Sequence, residues 1–421
     1  MTFSTVDPAL ATTFAAFEGG DVRWCLLRGE GELDEPREDV DLLVAATDIS
    51  AAAAILGRLG YLQLPAWGRG SHRFFLAYDA DGDRWTKLDI VTRLSFGRYG
   101  EFETDAAVAC IARRVAVGGG RAYLLDEVDR FWALFLHCLL DRGAFPPRHR
   151  ERLAELAKAA DGASPLADWF DERAGHTNSR AVATAIREGE WRRLAALGGA
   201  MRSAMRRKDA GALASGGRRA ALQRLTKVRT LLFGRGMSVA LLGPDGAGKS
   251  TLAKGLAETF YFPVRTVYMG LYGQGAGRRP PRGLLGRLRR QWGGYLRGVV
   301  HAARGRLVVY DRWGYDARLG ASETAGLRSR IRRWLLANAL PAPDLVILLD
   351  APPELLLARK GEHDVELLRL HRGAYLELAK SLPHAHVVAA DRDPDTVRRE
   401  VTKLIWDCMR SRRGTPPGKF A

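Results

Sequence analysis

The apolar run SVALLG leads into Gly243-Pro244-Asp245-Gly246-Ala247-Gly248-Lys249-Ser250-Thr251, and the helix-forming stretch TLAKGLAETF overlaps its end. This is the spacing GxxxxGK[ST] in the context that gives it meaning, a strand before and a helix after. Glycines at these places let the backbone curl so that successive N–H groups and the helix N-terminus converge on an anion. Lys249 can then neutralise β- and γ-phosphates, and the Ser250 hydroxyl can ligate Mg²⁺. The implied ligand is ATP with Mg²⁺, cradled by Gly243, Asp245, Gly246, Ala247, Gly248, Lys249, Ser250 and Thr251.

Two further groups could do chemistry. The run RLVVYD ends in Asp311-Arg312, an acid and an arginine at the carboxyl end of a strand, where open α/β sheets bind their ligands. Near the N-terminus, Asp39 and Asp41 alternate along one strand and so face the same side, and Asp89, in KLDIV, could be a third carboxylate. Three converging carboxylates would make a Mg²⁺ site for activating a hydroxyl against an α-phosphate. His72, in SHRFFLAY, reads either as an ordinary strand histidine or as a group touching substrate.

These residues need particular elements to position them. From Met237 onward, apolar runs of five to seven residues (SVALLG, RTVYMG, RLVVYD, DLVILLD, AHVVAAD) alternate with helical segments, the pattern of a parallel sheet covered on both faces. Residues 236–410 should therefore be a doubly wound α/β domain. Residues 1–118 mix short apolar runs with stretches such as AAAAILGRLG and read as a small α+β unit. Residues 119–235 carry helix-period patterns with little strand signal, predicting a helical connector that ends in a basic linker, and 411–421 should be a frayed tail.

The C-terminal third resembles the thymidylate kinases over about residues 236–405. Besides the phosphate loop, the resemblance rests on Asp311-Arg312-Trp313, Pro343-Asp344 before LVILLD, Pro352-Pro353, Arg359-Lys360-Gly361-Glu362, Glu366, Arg369, Arg372 and Tyr375. It implies that Asp245 is the acidic residue of that family's loop, that Arg312 holds the acceptor phosphate, and that Arg359 opens the lid. With Gly246 rather than arginine after Asp245, it also implies that the lid supplies the catalytic arginine, Arg359. Such an arginine disperses the charge of the moving phosphoryl group and is worth about 10³ to 10⁵ in rate. Departures fall among the base-reading residues. Tyr268-Met269-Gly270-Leu271-Tyr272-Gly273 replaces the family's Arg-Glu-Pro turn, Trp313 replaces Tyr or His, and Gly314-Tyr315-Asp316-Ala317-Arg318 stands where Ala-Tyr-Gln would read thymine. The acceptor is thus dTMP, another nucleotide, a sugar or a lipid-linked molecule. The N-terminal region resembles the nucleotidyltransferase superfamily, with Gly29 and the Asp39-x-Asp41 pair in its pattern but Glu30 where a serine would bind triphosphate. Besides a phosphotransferase, an ATP-binding switch and an active N-terminal nucleotidyltransferase remain open readings.

Charge narrows the partners. The 421 residues carry a formal charge of +17, and 47% hydrophobic content excludes disorder and fibrous classes. Residues 1–60 hold eleven acids and four bases, whereas 191–235 hold twelve bases against Asp209, and 259–310 hold ten arginines and no acid. Within 278–306, Leu284, Leu288, Trp292, Leu296 and Val299 recur at helical spacing among arginines. That pattern fits either an ordinary helix packing its stripe on the sheet or a peripheral contact with anionic membrane. No nucleic-acid module appears, so nucleic acid ranks last. A homodimer is consistent with the family resemblance. No apolar stretch reaches membrane-spanning length, no base precedes Arg23 to make a signal peptide, and Cys25, Cys110, Cys138 and Cys408 have no metal or disulfide spacing. The expectation is a cytoplasmic protein, peripheral at the inner membrane face if the basic segment touches lipid.

Overall fold

The computed structural model describes residues 6–28, 33–34, 39–66, 69–97, 99–175, 177–208, 217–222, 236–270, 283–319, 326–360 and 364–413. The chain divides into two compact units, one of residues 1–79 and 84–226, the other of 80–83 and 227–421.

In the first unit, β1 (Trp24–Leu26), β2 (Val40–Val44), β3 (Leu62–Leu64), β4 (Arg73–Asp79) and β5 (Arg84–Val91) join β8 (Val115–Val117) and β9 (Ala122–Leu124) in a mixed sheet of order β3-β4-β5-β2-β1-β9-β8. A short ribbon, β6 (Ser95–Phe96) with β7 (Phe102–Glu103), stands apart from it. Alternation along the central strands feeds two cores. Trp24, Leu26, Leu42 and Val44 face one side with Leu10, Phe14 and Phe17 of helix Pro8–Gly19, where Phe14 stacks on Trp24 at 4.4 Å. That helix starts where it does because Asp7 accepts from the N–H groups of Ala9 and Leu10, with Pro8 in its first turn. Cys25 and Leu43 face the opposite side, against Phe131, Trp132 and Phe135 of helix Glu127–Leu136 and the helices running on to Lys208.

This second core corrects the boundary expected at residue 118. That position lies inside the β8–β9 hairpin, and β9 pairs in parallel with β1 through Leu26 and Leu124. Residues 119–208 therefore share a core with the sheet instead of forming a separate connector. The signal was weak because β9 has only three residues and follows three glycines at positive φ. At the other end, the last helix, Pro394–Arg413, includes the first residues of the expected tail; 414–421 lie outside the described residues.

The second unit has the expected doubly wound architecture. β10 (Met237–Leu242), β11 (Val264–Tyr268), β12 (Leu307–Asp311), β13 (Leu345–Asp350) and β14 (Ala385–Ala389) form an all-parallel sheet of order β11-β12-β10-β13-β14. β10 is central and wholly apolar apart from Ser238, whose hydroxyl lies 2.9 Å from Asp344 Oδ2 and pins the start of β13 beside it. Among the described residues no helix is long and apolar enough to cross a membrane.

Helix Gly283–Ala303 packs in an unexpected orientation. Its buried side is Gln291, Gly294 and Gly298, and the helix lies so close to the sheet that a Cβ on Gly298 would collide with Tyr310 Oη. Of the expected stripe, Leu284 and Leu288 lie against Leu336 and Ala337 of helix Leu327–Asn338, while Trp292, Leu296 and Val299 are 42, 54 and 40% exposed. Small residues, rather than the large apolar ones, make the contact with β12. Gly298→Ala should therefore destabilise this unit by about 1–3 kcal/mol through overpacking, whereas Trp292→Ala should cost much less; urea unfolding of the two variants compares them.

Candidate active site

The chain leaves β10 through Gly243, Gly246 and Gly248, with φ of 136°, 87° and 92°, conformations that only glycine adopts without strain. At Gly243 there is a second reason, since a Cβ would come within 2.6 Å of the Leu349 carbonyl. The loop delivers Lys249 as the first residue of helix Lys249–Thr259, whose N-terminus has no side-chain cap. Its first N–H groups are therefore left to an anion. Lys249 is 7% exposed and donates to the Gly243 and Pro244 carbonyls at 2.7 and 2.8 Å. Burial, and then the nearby Arg312, pull its pKa down to about 8. An arriving polyphosphate would oppose this shift by supplying negative charge.

Around this loop the C-terminal ends of the strands enclose an open cleft of about 730 Å³, lined by Asp245 to Thr251, Asp311, Arg312 and Arg359 among others. The tertiary structure thus brings together the residues singled out from three separate stretches of sequence. Arg312 has φ of 71°, an uncommon backbone for a non-glycine residue, and its guanidinium pairs with Asp245 across the cleft. Asp311 lines the same cleft with its Oδ1 buried and, among the described residues, without a hydrogen-bond partner. Ser250 is exposed at the cleft wall. The Asp311 carboxylate and the Ser250 hydroxyl, from two residues that line the cleft, are groups of the kind Mg²⁺ takes. Arg359, near the end of helix Pro353–Lys360, donates to the Ala390 carbonyl at 3.1 Å. The Lys360 side chain and residues 361–363 lie outside the described residues.

The contacts around Arg312 were not legible beforehand, although Asp316, Arg372 and Tyr375 stand in the segments compared with the thymidylate kinases. Asp316 is buried, lies 3.6 Å from Arg312 Nη1 and accepts from Tyr375 Oη at 3.3 Å. Burial pushes its pKa up to about 6, against the opposing pull of Arg312 and Lys249. Arg372 grips both carboxylate oxygens of Asp350 at 2.6 and 2.8 Å, fixing helix Val365–Lys380 to the end of β13 and so holding Tyr375 in place. Arg392, Pro394, Val397 and Arg398 form part of the cleft wall. The only sequence signal for them was the turn-rich DRDPDT preceding a helix.

The N-terminal carboxylates are arranged differently from expectation. Asp41 and Asp89 are register partners on parallel strands β2 and β5, but each acid has its own base: Asp41 with Arg28 at 2.8 Å, Asp39 with Lys87 at 2.5 Å, Asp89 with His72 at 2.8 Å. Among the described residues no group of three acids, histidines or cysteines could hold a metal ion, and in place of the expected Mg²⁺ site Asp39 and Asp41 are each in an ion pair while Asp89 is hydrogen-bonded to His72. Burial also raises the Asp41 pKa, which disfavours the ionised form a metal would need. Gly29 and Glu30 lie outside the described residues.

A central strand, a glycine loop with a buried lysine and an uncapped helix on a doubly wound parallel sheet define a P-loop nucleotide-binding domain. No family model matches the chain. It is 32% identical over 200 residues to the thymidylate kinase of Xylella fastidiosa strain M12, covering 42% of this chain and 91% of that protein. With the thymidylate kinase of Xanthomonas campestris pv. campestris strain B100 it shares 30% identity over 198 residues, 42% of this chain and 86% of the other. Among solved structures, the thymidylate kinase of Candida albicans is similar at 18% identity with a TM-score of 0.34, covering 42% of this chain and 93% of that one. The chain belongs to the thymidylate kinase family, and the matching part is an ATP phosphotransferase of the nucleoside monophosphate kinase type.

Asp316 supplies a pH test of this geometry. In the folded chain its carboxyl binds a proton up to about pH 6, whereas an ordinary aspartate in the unfolded chain loses it near 3.8. Stability must therefore fall as pH rises from about 4 to about 6.5, by at most about 3 kcal/mol. Denaturant titrations should show this fall for the wild type relative to Asp316→Asn; parallel profiles would mean that Asp316 is not buried as described.

Proposed function

We propose that the P-loop unit moves the γ-phosphate of ATP to a small acceptor whose anionic group is held by Arg312, with dTMP the first candidate. The observation that carries this reading is the buried Lys249 and the Arg312–Asp245 pair sharing one cleft with Arg359 at its lip. The kinship with thymidylate kinases of Xylella and Xanthomonas supports a nucleotide acceptor. The changed residues at 268–273 and 314–318 leave another nucleotide, a sugar or a lipid-linked molecule as the alternatives.

In this reading the loop N–H groups and Lys249 hold the triphosphate, and Ser250 and Asp311 would hold the Mg²⁺ that accompanies ATP, which would offset charge on its phosphates. Arg312 exchanges its bond to Asp245 for the acceptor, bringing an acceptor oxygen in line with the γ-phosphorus. That oxygen bonds to phosphorus as the bond to the β–γ bridging oxygen breaks, and ADP departs with the bridging electron pair. A phosphate acceptor attacks as an anion and needs no general base. Arg359 leaves the Ala390 carbonyl to meet the equatorial oxygens of the moving group.

The test is ADP formation by the purified protein with Mg-ATP against dTMP, other nucleoside monophosphates, sugars and lipid-linked acceptors. Lys249→Ala should lower kcat/KM by about 10² to 10³. Arg359→Ala should lower kcat by about 10³ or more with little change in acceptor KM, and Arg312→Ala should chiefly raise acceptor KM. Stimulation by dTMP alone identifies the acceptor. If no acceptor stimulates ADP formation, the transferase reading fails and slow, acceptor-free hydrolysis would mark an ATP-dependent switch.

A further inference from the structure

Arg312 has more negative charge around it than one guanidinium needs. It pairs with Asp245 on the phosphate loop, and a second carboxylate, Asp316 Oδ2, lies 3.6 Å from its other terminal nitrogen, Nη1. That second separation is longer than a hydrogen bond, so Asp316 acts on Arg312 by charge more than by grip. Asp316 is buried, and in dry surroundings its charge counts for more than it would in water. It belongs to Gly314–Arg318, a segment in which this chain departs from the thymidylate kinases. The charged and titratable groups facing it are Arg312, which follows β12, Lys249 at the start of its helix, and Tyr375, whose hydroxyl donates to Oδ1 at 3.3 Å; Asp245 and Tyr268 act on Arg312 itself. Helix Leu327–Asn338 meets the same segment through Leu336 and Ala337 packed on Ala317 and through Asn338, which accepts from Arg318, and helix Gly283–Ala303 brings the uncharged Gln291 amide to Gly314.

We propose that Asp316 sets how strongly Arg312 holds an anionic acceptor: protonated, it leaves the arginine's charge to the acceptor, and ionised, it competes for that charge. Asp316 can do so only if Arg312 is the acceptor's anchor, the reading proposed for this cleft. It is then a positioning residue, acting on the acceptor through Arg312. Asp245, Asp311 and Asp316 all act electrostatically on Lys249, so with these acids ionised three carboxylates stand against two bases, Lys249 and Arg312. An acceptor anion that takes Arg312 from Asp245 leaves Asp316 where it is, buried and bonded to Tyr375. Two negative charges would then share one guanidinium, and the carboxyl relieves their repulsion by taking up a proton as the acceptor binds. Burial has already brought that proton within reach of neutral pH, with the carboxyl pushed up to about 6.

The experiment measures acceptor KM of the full chain with Mg-ATP from about pH 5 to about pH 8, using dTMP and any other anionic acceptor that stimulates ADP formation, for wild type, Asp316→Asn and Tyr375→Phe. Asparagine has the shape of the protonated acid and never ionises. The acceptor phosphate's own second ionisation, at about pH 6, is common to all three proteins and cancels in ratios of KM. Wild type and Asp316→Asn should agree at about pH 5, and by about pH 8 the wild-type KM should be about tenfold the higher. Tyr375→Phe removes a hydrogen bond that favours the ionised carboxylate, so its rise in KM should come at higher pH than the wild type's. ATP binding by both variants reports that they are folded. A carboxylate that merely braced Arg312 would give Asp316→Asn the higher KM at every pH; that result, or a profile parallel to the wild type's, overturns the proposal. The anchor fails separately: an Arg312→Ala variant with unchanged acceptor KM, or no acceptor that stimulates ADP formation, removes Arg312 from the acceptor and the proposal with it.

Discussion

Lys249 carries a charge into a buried position, and much of the second unit is arranged around that constraint. A lysine 7% exposed must be surrounded by acceptors. Its own loop offers them, curled back so that the Gly243 and Pro244 carbonyls point at Nζ. That curl needs positive φ at three glycines, and it needs β13 close enough that Gly243 tolerates no Cβ. The parallel neighbours of β10 thus fix the loop from below, while the uncapped helix after it presents N–H groups from above. Positive charge is concentrated at one end of the sheet, and the cleft opens there.

The same charge economy extends through Arg312. Its guanidinium lies between Asp245, on the phosphate loop, and Asp316, whose carboxyl Tyr375 helps to hold. Tyr375 in turn belongs to a helix clamped by the Arg372–Asp350 pair at the end of β13. Two strand ends, a loop and a helix are therefore linked through one arginine, in surroundings dry enough to displace the pKa values of Lys249 and Asp316. A group that draws Arg312 away from Asp245 will alter the field at Lys249, which couples the two ends of the cleft electrostatically.

In the first unit the contrast is instructive. Strands β2 and β5 set Asp41 beside Asp89, the juxtaposition that alternation along the strands suggests, yet Arg28, Lys87 and His72 close on the acids one by one. The period-2 rule tells which side a carboxylate faces; it carries no information about bases arriving from other strands and loops. For the same reason the joining of residues 119–208 to the N-terminal sheet was hidden, because a three-residue strand leaves almost no periodic trace.

The sequence by itself determined the phosphate loop, its strand and helix, and the alternation that makes a doubly wound sheet, because each is a local pattern of residue types with a short period. It also exposed Asp311 and Arg312, since a strand end announces itself nearby, while Arg359 was implied by the resemblance to the thymidylate kinases. Only the tertiary structure decided that these come to one cleft, that Asp316 and Tyr375, 59 residues apart, meet beneath Arg312, and that helix Gly283–Ala303 turns glycines to the sheet and tryptophan to the outside. Such facts depend on how closely two backbones approach, and that distance is set by the packing of elements far apart in the chain.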